Sequence, residues 1–500
     1  MGEKQPNAPR LVLRADGNSR IGLGHVMRLL ALAEILRADF EEIVFLIQSP
    51  DPSIRRLLHQ AGLALHALTG DLNQAALADE MLRPTDVLVL DGYHFEYAYQ
   101  TAVRPLVARL VCLDDLHAFP FAADLVVNPA GGVGPGQYDL RSPHARLLAG
   151  PAYAPLRADF QHVAEIPPAP PSQILLCMGG ADPRQLTQAT AAALLALPAV
   201  AHVHAVVGSA YAGWDELRAW AATQGPRLTL HRALAASQLA ALMRRCGAAV
   251  LSPSTISYEY GAAGGGLLFT LPTAKNQRDL DHFLRGAGLA LPYPAAPNVL
   301  TAAEAPRLAT QLRQAQRRYF DGQAPQRLRQ EFAALRLPPA PLCLRPVRAA
   351  DSAQLLAWTN DPETRRQSFD PAPVPLASHE AWFANQLAHP DRYLLLLAET
   401  TDTGAPAGLI RFILSADGQV ATLSYSLAPA YRGRGWAAPL LLAGTRAVLA
   451  HWAGVRRVVG EVKATNEASA RAFRRAGYAP AEAAGPAGGL TFVWIAALAA

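Results

Sequence analysis

RADGNSRIGLGHVMR, Arg14 to Arg28, is the stretch on which the reading of this chain turns. A short apolar strand, Leu11 to Leu13, runs into a glycine loop, and Val26, Leu29, Leu30, Leu32 and Ile35 then recur at helical spacing. Glycines at such a strand-to-helix turn let a ligand approach the main chain, and the positive helix start favours anions. Gly22 and Gly24 are the loop candidates, with Arg14 and Asp16 as polar contacts at the strand end. His25 opens the helix, where the same positive end disfavours a second positive charge. A neutral imidazole facing a phosphate-binding loop is placed to act as a general base.

Working outward, Ile43–Ile47, Val87–Leu90, Leu110–Leu113 and Leu125–Val127 read as further strands alternating with helical patterns. The alternation resumes with Ile174–Met178, Val203–Val207, Leu228–Leu230, Ala248–Leu251 and Leu267–Thr270. Strands alternating with helices imply parallel α/β sheets with ligands at the strand C-terminal ends. Two proline-rich breaks, Glu165–Pro171 (EIPPAPP) and Arg336–Pro341 (RLPPAP), divide the chain. After the second break the order changes: helices come first, then Tyr393–Ala398, Ala407–Ile413 and Thr422–Leu427 as consecutive strands, an α+β pattern. The predicted domains are therefore residues 1–165, 172–336 and 342–500.

Composition bounds the function. A chain of 500 residues suits about three domains. Its 45 basic and 40 acidic residues leave a net charge of +5 with no basic tract, which suits an anionic small substrate better than a nucleic-acid groove. Cys112, Cys177, Cys246 and Cys343 are far apart, with no CxxC, so neither a disulfide framework nor a structural zinc site is expected. The N-terminal MGEKQPNAPR lacks the apolar core of a signal peptide, and no apolar run is long enough to span a membrane. A cytoplasmic protein with reduced thiols is expected. The oligomeric state is not legible.

Several strand ends carry polar residues that a packed core does not need. Asp91, Gly92 and Tyr93 follow one strand, Asp114 and Asp115 the next, and Gly179, Gly180, Ala181 and Asp182 a third. The last reads as a second anion loop. In SPSTISYEYGAAGGG, Ser254 or Thr255 can cap a helix and hold a diphosphate, while Glu259 one turn further in can take both hydroxyls of a ribose. Together these positions describe a nucleotide-sugar cleft. No metal is expected, the Asp114–Asp115 pair being read as strand-end hydrogen bonding rather than a magnesium site.

The strings RADGN…IGLGHVMR, LDGY, LDDLHAF…ADLVVNPA, GPAYAPLRADF, MGGADPRQLT and SPSTISYE…KNQ resemble, in colinear order from residue 10 to residue 335, the UDP-2,4-diacetamido-2,4,6-trideoxy-β-L-altropyranose hydrolases of pseudaminic acid biosynthesis. The resemblance implies a GT-B-like pair of Rossmann-type domains in which His25 activates water for attack at the anomeric carbon. It also implies that Tyr93, Asn276 and the adjoining Gln277 lie near the sugar and diphosphate, and that Glu259 binds the ribose. Pro253 and Gly264 to Gly266 depart from the family pattern in the nucleotide loop.

In ATLSYSLAPAYRGRGWAA, Ala421 to Ala438, a strand ends at Leu427 and Arg432-Gly433-Arg434-Gly435-Trp436-Ala437 opens a long helix. With VVGEVKATNEASARAFRRAGY further on, the segment from Leu342 to Trp494 resembles the GNAT acetyltransferases. That resemblance implies acetyl-CoA as co-substrate, bound by Leu427, Arg432, Gly433, Arg434, Gly435, Ala437 and Asn466. Phe473 stands where many such enzymes carry a tyrosine that reprotonates the coenzyme A thiolate. The segment WTNDPETRRQSFDPAPVPLASHEAWF resembles acetyltransferases of UDP-linked 4-amino-sugars, which makes Trp358, Asn360, Arg365, His379 and Trp382 the expected acceptor pocket.

The expectation is thus a bifunctional enzyme that acetylates a UDP-4-amino-sugar and hydrolyses the product. The rivals are a GT-B glycosyltransferase, which would need an acceptor groove, and a nucleotide-sugar binding module fused to a protein N-acetyltransferase.

Overall fold

The first described strand, β1 (Arg10–Ala15), is buried along its whole length, and this sets the architecture around it. In the computed structural model, which describes residues 9–16, 24–68, 81–161, 167–481 and 488–497, β1 is central in a seven-stranded parallel sheet. Its neighbours are β2 (Glu42–Gln48), β3 (Ala64–Leu68), β4 (Val87–Asp91), β5 (Arg109–Leu113), β6 (Leu125–Asn128) and β7 (Arg146–Ala149). The order is β3-β2-β1-β4-β5-β6-β7. Strands covered on both faces read as near-continuous apolar runs, as β2 and β4 do, while β1 also buries Arg14. The helix Gly24–Leu36 closes one face with Val26, Leu29, Leu32 and Leu36.

A second parallel sheet repeats the plan. It contains β8 (Gln173–Cys177), β9 (His202–Val207), β10 (Leu228–Arg232), β11 (Ala248–Leu251), β12 (Leu267–Thr270) and β13 (Leu291–Pro292), in the order β10-β9-β8-β11-β12-β13. In both sheets the connections run one way from the first strand and then turn back to its other side. The chain therefore diverges between β1 and β4, and again between β8 and β11, leaving a crevice at the carboxyl ends of each strand pair. The sheets touch: Tyr258 donates to the Pro129 carbonyl at 2.9 Å, and Gly131 lies so close to the Phe283 ring that a Cβ there would come within 2.2 Å of it.

The carboxy-terminal sheet is different. Its strands are β14 (Leu342–Pro346), β15 (Tyr393–Thr400), β16 (Pro406–Leu414), β17 (Val420–Leu427), β18 (Arg457–Val462), β19 (Ala479–Pro480) and β20 (Leu490–Ile495). They lie in the order β14-β15-β16-β17-β18-β20-β19 and are antiparallel except for β17 and β18. That parallel pair stops at Leu423–Gly460 while β17 runs on to Leu427, so the sheet opens there. Leu396 and Ala398 of β15 face the core built on helix Ala437–His451, and Leu395 and Leu397 face Leu355, Trp358 and Phe383 on the other side.

The boundary between compact units differs from the proline break at Arg336–Pro341. The units are Met1–Leu328 and Arg329–Ala499, divided inside the helix Ala324–Leu335. The second half of that helix packs with the carboxy-terminal sheet. Ala334 is part of its core, and the Gln330 amide, oriented to match its partners, pairs with both main-chain groups of Ile495 at 3.1 and 2.8 Å. Prolines mark where the chain leaves helical geometry, but burial of Ala334 decides which core the preceding turns join.

Candidate active site

At the β1/β4 crevice the helix start brings His25 to the end of β4. Its Nδ1 lies 2.7 Å from Oδ1 of Asp91, a carboxylate with no solvent exposure. Arg28, one turn along the same helix, donates to both Asp91 oxygens, through Nε at 2.8 Å and Nη2 at 2.5 Å. Burial works against ionisation of Asp91, but the Arg28 charge and the hydrogen bonds from Arg28 and His25 outweigh it and hold the carboxyl below its ordinary range. A carboxylate can only accept, so neutral His25 carries its proton on Nδ1 and presents the Nε2 lone pair. Tyr93 meets the imidazole edge to face at 4.9 Å, and its hydroxyl donates to Asp115 Oδ2 at 3.3 Å. Burial raises the Asp115 carboxyl, against the pull of Arg28, and its Oδ1 is buried without a partner. His25, Asp91 and Tyr93 line one pocket at this crevice.

The other expected contacts of the first loop divide. Gly22 lies outside the described residues, whereas Gly24 is the exposed first residue of the helix. Arg14 and Asp16 are tied to each other. Arg14 is buried over the Phe95 ring and grips Asp16, which also accepts from the Gln48 amide at 2.9 Å and lies 2.9 Å from His94 Nε2. These two residues are spent on each other and on the end of β2. Asp114 is similarly spent on the Tyr138 hydroxyl at 2.6 Å and the His117 amide at 2.7 Å.

At the β8/β11 crevice, Gly179 adopts φ +91°, a left-handed conformation that glycine takes without strain, and a Cβ there would sit 3.7 Å from Ser252 Oγ. Gly180 accepts from the Gly208 amide at 2.8 Å. Ser254 occupies the N-cap position of helix Thr255–Ala263 but its side chain makes no capping hydrogen bond, its Oγ lying 3.4 Å from Ser252 Oγ, and the first helical residue, Thr255, is exposed. Glu259 is buried. Arg157 grips its Oε1 through Nε at 3.0 Å and Nη2 at 2.7 Å, leaving Oε2 without a described partner. Burial raises the Glu259 carboxyl, with Arg157 opposing it. Gln277 accepts from the Thr273 amide at 2.7 Å and so closes its own loop; the Asn276 side chain lies outside the described residues.

In the carboxy-terminal unit the glycine loop is open. Gly433 and Gly435 take φ +74° and +79°, and nothing lies within 4 Å of the Cβ direction of either. Amides in this geometry before helix Ala437–His451 form an anion cradle. Arg434 stays on the loop, over the rings of Tyr431 (5.1 Å) and Trp436 (5.7 Å). Arg432 does not face it: the guanidinium donates to Asp361 at 2.6 Å, Thr364 at 3.0 Å and the Leu427 carbonyl at 3.1 Å. It therefore positions the loop end of β17. Asn466 caps its helix by accepting from Ser469 N at 3.0 Å. Phe473 is buried, stacked on Phe492 at 5.1 Å.

The residues read as an acceptor pocket are mostly structural. His379 is buried, 3.1 Å from the Ser352 carbonyl and stacked on Phe383 at 5.7 Å. Trp358 joins the same core, and Asn360 clamps Val374 through both main-chain groups at 2.9 and 2.7 Å. Arg365 holds the carbonyls of Thr359, Asp370 and Ala372. Trp382 is only partly buried. Sequence reading missed Arg28, whose spacing of three from His25 was a usable signal, and Arg157, for which no local signal exists.

Residues 341–479 match the family model of the acetyltransferase (GNAT) domain, so the carboxy-terminal unit carries a GNAT acetyltransferase domain. An uncharacterized protein of Methanocaldococcus jannaschii is 26% identical over 217 residues, which cover 42% of this chain and 44% of that protein, less than half its length. Similar solved structures include an aminoglycoside acetyltransferase in complex with coenzyme A and kanamycin, 18% identical, covering 31% of this chain and 94% of that one with a TM-score of 0.28. Another is the spermidine N-acetyltransferase of Vibrio cholerae in complex with coenzyme A and spermine, 14% identical, covering 31% and 93%, with a TM-score of 0.28. No described helix is long and apolar enough to cross a membrane, and no group of three or more metal-ligating side chains converges among the described residues.

Proposed function

We propose that the chain is a two-site nucleotide-sugar enzyme: the carboxy-terminal unit N-acetylates a UDP-linked 4-amino-sugar with acetyl-CoA, and the amino-terminal unit hydrolyses the product to free sugar and UDP. The observation that carries the hydrolase reading is the 2.7 Å contact of His25 Nδ1 with buried Asp91 at the crevice between β1 and β4. With Nδ1 occupied, Nε2 takes a proton from water as the water oxygen bonds to the anomeric carbon and the carbon–oxygen bond to UDP breaks. Asp91 stabilises the imidazolium that forms, as buried carboxylates do beside catalytic histidines. The Gly179–Gly180 loop and the start of helix Thr255–Ala263 supply main-chain donors for the departing diphosphate, and the free Oε2 of Glu259 faces the ribose. UDP is a good leaving group, so an aligned water and a diphosphate cradle suffice.

The acetyltransferase reading is supported by the GNAT match and the open loop at Gly433 and Gly435. There the loop amides hold the coenzyme A diphosphate, and the thioester reaches the sheet opening beyond Leu423. The acceptor amine attacks the acetyl carbonyl, and coenzyme A leaves as its thiol. Incubation with acetyl-CoA and UDP-4-amino-sugars tests both halves. The acetylated UDP-sugar and then UDP should form in that order, and release of UDP without either acetyl transfer or acetylated substrate would refute the scheme.

A further inference from the structure

Arg411, a half-buried cation of the carboxy-terminal unit, has no counter-charge among the described residues. Arg411 on β16 lies with its guanidinium carbon 5.0 Å from the ring centre of Trp382 and donates through Nε to Ser424 Oγ at 2.5 Å. Its terminal nitrogens have no hydrogen bond or ion pair among the described residues. Burial, and then the positive charge of Arg365, push its pKa below the ordinary guanidinium value. Arg365 brings no carboxylate with it, since its partners are three carbonyls and the Ser368 hydroxyl. Arg28, Arg157, Arg345 and Arg432, by contrast, each face a carboxylate: Asp91, Glu259, Asp351 and Asp361 respectively. Arg411 is half-buried, and a guanidinium with free nitrogens and no carboxylate beside it is a ready partner for an anion.

Its location gives the anion a role. Ser424 is the first β17 residue beyond the last β17–β18 pair, Leu423–Gly460, and Arg411 is its direct partner on β16. Arg411 therefore stands one strand away from the opening of the sheet, on the face that also bears Trp382.

We propose that Arg411, backed by the charge of Arg365, binds a phosphoryl group of the acetyl acceptor and so selects phosphorylated amines over neutral and cationic ones. The planar fork of the two free nitrogens suits two oxygens of one phosphoryl group, which a lysine does not match. This assignment rests on the acetyltransferase reading and adds the group the acceptor must present. The phosphoryl group can belong to a nucleoside-diphosphate sugar or to a sugar monophosphate.

The test is acetyl transfer by the full chain to a UDP-4-amino-sugar, to the same amino-sugar as its 1-phosphate, to its methyl glycoside and to spermine. The wild type should prefer the two phosphorylated acceptors, and which of them is better identifies the source of the phosphoryl group. Arg411→Gln should raise their KM by about tenfold to a hundredfold. It should leave KM for the methyl glycoside and affinity for acetyl-CoA unchanged. Arg411→Lys should fall between, and Arg411→Glu should shift preference towards spermine. Equal effects of Arg411→Gln on charged and neutral acceptors, or none on either, would overturn the proposal. If no amine is acetylated, the acetyltransferase reading fails, and hydrogen exchange over β16 and β17 with added UDP still decides the anion site. Protection in the wild type that disappears in Arg411→Gln supports it; protection absent from the wild type or equal in both overturns it.

Discussion

His25 and Asp91, 66 residues apart in sequence, meet at 2.7 Å where the first sheet divides, and Arg28 holds both oxygens of the same carboxylate. Asp91 therefore fixes the imidazole tautomer and is itself held by Arg28. Asp91→Asn should reduce kcat for UDP release by roughly a hundredfold or more with little change in KM, the pattern of a lost base orientation. It should also remove the close counter-charge of buried Arg28, leaving it only Asp115 at 3.6 Å, and lower stability by about 3 kcal/mol. Steady-state kinetics and thermal melting read the two effects separately. Unchanged kcat in a folded variant would remove Asp91 from the mechanism.

Gly435 tests the coenzyme loop. Gly435→Glu places a negative charge and a side chain at a left-handed position in the anion cradle and should abolish acetyl-CoA binding by calorimetry. Gly435→Ala meets no neighbour within 4 Å and should cost only the backbone strain, about 1 kcal/mol. Equal binding by wild type and Gly435→Glu would place the coenzyme elsewhere.

A histidine ladder gives the amino-terminal unit an acid limit. His202 and His204 lie 4.4 Å apart, and His204 Nδ1 is 3.3 Å from His231 Nε2. Burial, then the neighbouring histidines and Arg245, push His204 down to about 4. The unfolded chain binds this proton near the ordinary 6.5, so its contribution is intact above that pH and is lost as pH falls from 6.5 through about 4. The loss should be on the order of 2 kcal/mol, and His204→Phe should flatten it. Chemical denaturation at a series of pH values between neutral and mildly acidic measures the slope. The same slope in wild type and variant would contradict the assignment.

The position of the unit boundary has a consequence for dissection. A fragment of residues 342–500 lacks Gln330 and Ala334, which pair with Ile495 and fill the carboxy-terminal core. It should melt well below a fragment of residues 322–500, and only the longer piece should bind acetyl-CoA with full affinity. Equal melting temperatures would show that the helix contributes nothing to that unit.

Much of this was legible in sequence because the signals are local. Apolar runs located β1, β2, β4 to β6, β8 to β12 and β15 to β17 to within a few residues but not β3, β7, β13, β14, β19 or β20, and the loop glycines at Gly179, Gly433 and Gly435 stand where strand gives way to helix. What escaped is pairing across distance. Nothing near Glu259 announces Arg157, which lies 102 residues earlier, and nothing near Arg432 announces Asp361, 71 residues earlier. His379 shows the opposite error: the resemblance placed it in an acceptor pocket, yet helical spacing turns it into the core, where a carbonyl satisfies it. Side-chain type proposes chemistry, but burial and partners assign it.

The most direct measurement is UDP release from a UDP-2,4-diacetamido-trideoxy-sugar by wild type and by His25→Ala, with UDP affinity of both chains determined by calorimetry. The account predicts turnover by the wild type without acetyl-CoA, loss of turnover in His25→Ala and the same UDP affinity in both. Wild-type turnover by a folded His25→Ala chain would contradict it.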